Sequence, residues 1–234
     1  MSNIIKNYQP YLLLSISSFL MLSCVAYQPQ MADIPLIHEK KDLRIDAGLS
    51  LVKGNIGGTF SYGVSDKIAV QVHGNTMFDG TKHNYLQAAG GYYKHYNNNA
   101  VLELYGGLGY GNIYARQPST GGHMDGNQQL YFTQLNFGKI SIDNGKIDLG
   151  IGLKTGLLFS EIQDNNYFYT PAEGDLKYNY SILLGEPTAF IRFGGERIKF
   201  NLKAGAVAMH ELSNSNQYFP FSWWNIGFGV NFNF

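Results

Sequence analysis

The sequence predicts an all-β chain, an antiparallel up-and-down transmembrane β-barrel of about ten strands. Three observations carry this. Apolar and polar residues alternate with period two in one segment after another. The links between these segments alternate between tight turns and longer loops. Charged residues make up only 15% of the chain, while aromatics also reach 15% and glycine counts 28, a balance foreign to ordinary globules.

The alternation starts abruptly at Leu43. Leu43, Ile45, Ala47, Leu49 and Leu51 share one face, and Arg44, Asp46, Gly48 and Ser50 share the other. Such a pattern belongs to a strand with chemically different faces. It returns in Ile68-Val70-Val72, in Leu102-Leu104-Leu108, in Ile147-Leu149-Ile151-Leu153 and in Ile198-Phe200-Leu202. It closes the chain in Trp224-Ile226-Phe228-Val230-Phe232-Phe234, set against Asn225, Gly227, Gly229, Asn231 and Asn233. The predicted strands cover 43–52, 56–64, 67–78, 85–96, 100–115, 128–142, 146–160, 182–193, 196–209 and 222–234. The alternation is diluted at 56–64 and 128–142, and no segment carries a helical stripe.

Ser65-Asp66, Asn97-Asn98-Asn99, Asp143-Asn144-Gly145 and Gly194-Gly195 are hairpin turns by composition. The other links, 79–84, 116–127, 161–181 and 210–221, are longer, with 53–55 the short exception. Outer-membrane barrels show this parity, with short periplasmic turns and long external loops. A soluble sandwich has no reason to keep it. An apolar band of about 25 Å crossed at a tilt near 40° needs roughly ten residues per strand. Tyr85, Tyr92, Tyr96, Tyr110, Tyr114, Trp223 and Trp224 fall near strand ends, where an interfacial girdle would stand.

Upstream of the strands, Lys6 precedes an apolar run from Tyr11 to Leu22. The run is too short for a membrane-spanning helix and suits a signal-peptide core. Ser23-Cys24 follows, and Cys24 is the single cysteine of the chain. Two readings stand: a lipoprotein signal whose Cys24 becomes the lipidated N-terminus, or a secretory signal with an incidental cysteine. The first divides the chain into a signal peptide over 1–23, a lipidated periplasmic tether over 24–42 containing Pro29 and Pro35, and a barrel over 43–234. A lipidated Cys24 leaves no thiol for a disulfide or a cysteine-bound metal.

The chain resembles a Bacteroidetes-type lipoprotein with an outer-membrane β-barrel domain. The resemblance rests on Ser23-Cys24, on the short tether leading to Leu43, and on the closing run Gly227–Phe234. It implies palmitate or a similar acyl chain on Cys24. It also implies that Phe228, Val230, Phe232 and Phe234 present the signal read by the barrel-assembly machinery. Outer-membrane lipid and that machinery are then the expected partners, beside an unidentified outer-membrane protein. Surface-exported relatives often carry acidic residues soon after the cysteine. Val25 to Gln30 hold none, so the resemblance implies a lipid and N-terminus on the periplasmic side.

Basic and acidic residues balance at 17 each, which gives no electrostatic footprint for nucleic acid. Histidines with acid or hydroxyl neighbours occur at His83, at His123 with Asp125, and at His210 with Glu211, on predicted external loops. Ser119, Ser213 and Ser215 lie nearby. None of these falls in a spacing that fixes a nucleophile, base and orienting group or a metal-ligand set, so no enzyme, cofactor or metal is expected. Gly106–Gly111 lies inside a predicted strand with no helix after it, unlike a phosphate loop. The predicted inner face carries Arg44, Asp46, Glu103, Asp148, Lys154, Glu186, Arg192, Lys199 and Lys203. Charges in a narrow lumen must pair or meet water. They form either a plug of ion pairs or a polar path for a small solute. The expected role is structural, or interaction through the external loops. The alternatives are a narrow channel and a hydrolase at the rim.

Overall fold

The computed structural model describes residues 26–28, 30–31, 33–51, 54–77, 81–116, 121–166, 176–213 and 218–234. Its strands are β1 (Leu43–Ser50), β2 (Asn55–Gly63), β3 (Ile68–Met77), β4 (Thr81–His95), β5 (Ala100–Arg116), β6 (His123–Ser141), β7 (Ile147–Asn165), β8 (Leu176–Gly194), β9 (Ile198–Ala206), β10 (Ala208–Glu211) and β11 (Trp224–Asn233). Successive strands pair antiparallel, and β1 pairs with β11 from Arg44–Asn233 to Ser50–Gly227, which closes the sheet on itself. Closure gives β1 and β11 partners on both sides, the condition for backbone in lipid, while among the described residues β10 at the long-loop end forms a ladder with β8 alone.

β9 and β10 are two halves of one stave. Thr188 faces Gly205 and Gly185 faces Ala208, so the register is unchanged across Val207. Pro187 stands opposite the break and has no N–H to give to a ladder. The Val207 N–H donates to the Trp223 carbonyl at 2.9 Å. The barrel therefore has ten staves, as the period-two pattern predicts. One end carries only short turns, and the other carries the longer β5–β6, β7–β8 and β10–β11 links; the β3–β4 link there, read from the sequence as long over 79–84, is short, since β3 ends at Met77 and β4 begins at Thr81. At the short-turn end Ser141, Asp143 and Asn144 take φ of 53°, 50° and 56° to reverse the chain between β6 and β7. Asp and Asn tolerate that region best among residues with a side chain.

The strand lengths are uneven. β1 to β3 have 8, 9 and 10 residues, whereas β6, β7 and β8 have 19 each. On β7 the outward row Leu149, Ile151, Leu153, Leu157 and Phe159 is exposed. Its climb from Leu149 to Phe159 is about 25 Å at ordinary rise and tilt, the height of an apolar band. Beyond Phe159, toward the long-loop end, the two faces exchange character. Asn127, Glu161, Lys177 and Asn179 now face outward, while Met124, Ile162 and Tyr180 are buried inside, continuing an inner apolar row that Leu130, Leu158 and Ile182 begin just below. Within the band the barrel is apolar outside; above it, it is apolar inside, like a soluble β protein.

That inversion explains the shortfall of the predicted strands. The sequence reading begins β6 at 128 and β8 at 182 and ends β7 at 160, but they reach His123, Leu176 and Asn165. A rule that keeps apolar residues on one face reads the phase change as loop. His83, His123, Asp125, His210 and Glu211 accordingly lie in strands rather than external loops. Tyr85 also departs from the girdle expected of it. It shares the inner row of β4 with Gln87 and is only 3% exposed, whereas Tyr92, Tyr96, Tyr110, Tyr114 and Trp223 are exposed.

The expectation of a periplasmic tether over 24–42 is corrected for its described residues. Ala26, Tyr27, Gln28, Gln30, Asp33, Ile34, Leu36 and Ile37 are all buried. They form a strap through the lumen. At the long-loop end Tyr27 bridges Phe221, with Ala26 N–H donating to the Pro220 carbonyl at 2.8 Å and Ser222 N–H to the Tyr27 carbonyl at 2.9 Å. At the short-turn end Lys41 N–H donates to the Gly63 carbonyl at 2.8 Å. A chain from Tyr27 to Lys41 can extend by at most about 46–50 Å, ample for crossing a 25 Å band. The strap then reverses at Glu39–Asp42, where Lys41 has φ 72°, and becomes β1. Cys24 and the predicted signal peptide lie outside the described residues.

Candidate functional site

Hydrogen bonds and ion pairs run along the seam between strap and inner wall. All nine charged residues expected on the inner face line the barrel's interior, eight of them buried and Lys203 12% exposed. Five are cationic (Arg44, Lys154, Arg192, Lys199, Lys203) and four anionic (Asp46, Glu103, Asp148, Glu186). The strap supplies a further carboxylate, Asp33. Its Oδ1 lies 2.7 Å from Lys203 Nζ and 3.5 Å from Arg192 Nη2. Its backbone carbonyl accepts from Gln134 Nε2 at 2.9 Å and from Gln71 Nε2 at 3.1 Å.

Four of the nine wall charges hold the strap directly. Arg192, beyond its pairing with Asp33, donates to the Ile34 carbonyl at 2.7 Å and to the Pro35 carbonyl at 3.4 Å, with its guanidinium 4.2 Å from the Phe190 ring centre. Glu186 accepts from the Tyr27 hydroxyl at 2.8 Å and from the Gln30 N–H at 3.3 Å, and faces Lys154 at 3.4 Å. Glu103 accepts from the Ile37 N–H at 2.8 Å and from Asn136 at 2.9 Å. Lys203 bridges Asp33 and Asp46, the latter at 2.6 Å. The remaining charges pair within the wall or at its foot: Lys199 with Asp148 at 2.6 Å, and Arg44 with Asp42 at 3.1 Å.

Glycines on the inner wall make room for this segment. A Cβ on Gly138 would lie 2.6 Å from Leu36 Cδ1, and one on Gly152 would lie 2.9 Å from Ile34 Cδ1. Gly138 and Gly152 are therefore seats of strap side chains, whereas Gly91, Gly107 and Gly150 make room for Tyr105, Phe132 and Phe190 of the wall itself. Beside the strap, Gln30, Met31, Asp46, Ser50, His73 and Lys203 line a gap of about 50 Å³, room for a water or two. At the short-turn end the lumen widens into a vestibule of about 1330 Å³ lined by His38, Glu39, Lys41, Asp148, Arg197 and Lys199 among others.

The groups considered for catalysis do not assemble. His83 is buried and hydrogen-bonds Gln128 inside the barrel. His123 Nε2 is 3.9 Å from Asp125 and 3.0 Å from Asn165 Nδ2 at the long-loop rim. His210 is exposed, while the neighbouring Glu211 accepts from Ser213 at 2.9 Å; adjacent strand residues point to opposite faces. Ser119 and Ser215 lie outside the described residues. Among the described residues no three His, Cys, Asp or Glu side chains come together as a metal site. Of the residues expected to signal assembly, Phe228 and Phe234 are exposed outward, and Val230 and Phe232 half-buried. Phe234 also holds the seam, exchanging backbone hydrogen bonds with Leu43 at 3.0 and 3.2 Å.

Sequence reasoning missed the strap. A signal was there: a surplus cation on the inner wall, inward glycines with nothing to accommodate, and Ile34, Leu36 and Ile37 in a stretch read as a tether.

A closed up-and-down barrel with an apolar outer band has the fold of outer-membrane β-barrels, and a solved structure shares it. The outer membrane protease OmpT from Escherichia coli aligns over 83% of this chain and 94% of its own, with a TM-score of 0.54 and 11% identity. The N-terminal β-barrel domain of Pseudomonas aeruginosa OprF aligns over 84% and 100%, with a TM-score of 0.38 and 12% identity. The KdgM porin aligns over 82% and 99%, with a TM-score of 0.41 and 10% identity. At these identities the likeness is one of fold alone. No family model and no curated protein matches the sequence.

Proposed function

We propose that this is a lipid-anchored outer-membrane barrel with a closed lumen, whose role is structural or one of interaction through its long-loop end. The strap carries this reading: a wall that spends four inward charges, three of them buried, on holding its own chain is built to stay filled. The raised β6–β8 wall, polar outside and packed inside, offers a rigid platform above the band, where a protein partner in the outer membrane would meet it. The lipid anchor rests on Ser23-Cys24 and on the resemblance to Bacteroidetes-type lipoproteins. The resemblance also makes Phe234 the terminal residue of an assembly signal. The protease among the fold neighbours shares the fold at 11% identity, a likeness that carries no activity over to this chain.

Planar-bilayer recording tests the closed lumen. The purified protein is expected to insert without steady conductance. Stable unitary currents would replace this reading with the narrow-channel one. For the anchor, Cys24→Ala is expected to abolish incorporation of labelled palmitate while leaving the heat-dependent gel shift of the folded barrel intact. Unchanged labelling in that variant removes the lipoprotein reading.

A further inference from the structure

We infer that the chain ahead of the strap leaves the barrel at the cell surface, so that the lipid anchor sits in the outer leaflet rather than facing the periplasm. The lipid part rests on the function proposed above; the threading does not. The argument begins with direction. Strap residues meet the wall in sequence order along the barrel axis. Ala26 and Tyr27 are bonded to Pro220–Ser222, in the link between β10 and β11 at the long-loop end. Gln30 and Asp33 meet Glu186, Arg192 and Lys203 farther down. Ile37 meets Glu103, and Lys41 reaches Gly63 at the short-turn end. Long loops face outward from the cell in outer-membrane barrels, and short turns face the periplasm.

Strand parity alone puts Leu43 on the periplasmic side, and with it any tether that simply continues away. The strap reverses that conclusion because it doubles back through the lumen before β1 begins. Cys24 is two residues ahead of Ala26. Two residues span at most about 7 Å, far less than the roughly 25 Å band that a return to the periplasmic leaflet would have to cross. An acyl chain on Cys24 can therefore reach only the leaflet beside the long-loop rim. The absence of acidic residues after Cys24 does not oppose this, because the route runs through the barrel's own lumen. The strap thus couples anchor and barrel: the lipid cannot change leaflets unless Asp33, Tyr27 and Ile37 release their wall partners.

The test uses the full chain in intact cells. One variant carries a short epitope between Val25 and Ala26, and a second carries it between Ser65 and Asp66 in a short turn. Antibody is expected to stain the first without permeabilisation and the second only after it. Staining of the first only after permeabilisation overturns the threading. The heat-dependent gel shift reports that each variant is folded. Should the insertion block folding, Tyr27→Cys with Phe221→Cys in a Cys24→Ala background takes its place, since bridge partners lie within disulfide reach. A reducible cross-link is expected in the inserted protein, and its absence under oxidant overturns the threading. Palmitate labelling of the parent chain separates the two claims. Surface staining without label removes the anchor and leaves the threading; label with protected epitope removes the threading and leaves the anchor.

Discussion

Asp33→Ala is expected to destabilise the folded barrel by about 3 kcal/mol, the lower end of what removing one partner from a buried ion pair costs. The reason is what it leaves behind. Arg192 is fully buried and loses its only carboxylate within 4.0 Å among the described residues, keeping the Ile34 and Pro35 carbonyls. Lys203 retains Asp46 at 2.6 Å, which keeps the loss from the upper end. Adding Arg192→Met to Asp33→Ala is expected to recover part of the stability, because an apolar replacement of both partners leaves no orphaned charge. Urea unfolding in detergent micelles, followed by tryptophan fluorescence, measures both. A loss below about 1 kcal/mol for Asp33→Ala, the scale of an exposed pair, would mean that the strap does not occupy the lumen.

Phe228→Arg is expected to cost about 2–4 kcal/mol, the penalty for a cation near the midplane on the lipid face. Phe228 faces outward at the middle of β11, 48% exposed, with Leu49 and Leu202 as its partners on either side. Its neighbours offer no acid to pair with, and a guanidinium there must snorkel or thin the bilayer. Asn231→Ala, on the inner face of the same strand, is expected to cost much less. Deleting Phe234 is expected to lower insertion yield in cells more than it lowers refolded stability, if the terminal residue serves assembly. Refolding into lipid vesicles gives the stabilities, and membrane fractionation gives the yield. Equal tolerance of Phe228→Arg and Asn231→Ala would exchange the two faces of β11.

The barrel was legible because its determinants are local. A strand in lipid must show apolar residues at every second position, and turns such as Asp143-Asn144-Gly145 announce themselves by composition. That suffices for ten staves, for closure through β1 and β11, and for the inner position of charges such as Lys154 and Arg192. It fails where the outer environment changes within one strand. Above Phe159 water replaces lipid outside, the apolar row moves to the other face, and β6, β7 and β8 look like loops in a pattern that assumes one solvent. Tyr85 is a smaller case, since an aromatic near a strand end fits a girdle until the phase of Gln87 turns it inward.

By itself, then, the sequence determined an antiparallel barrel with a polar interior, because period two is imposed residue by residue. Only the tertiary structure decided what fills that interior. The strap has no repeating pattern of its own, since each residue answers to a different part of the wall: Tyr27 to Glu186, Asp33 to Arg192 and Lys203, Leu36 to the bare backbone of Gly138. Those partners stand more than a hundred positions away in the chain and come together only once the staves have closed around them.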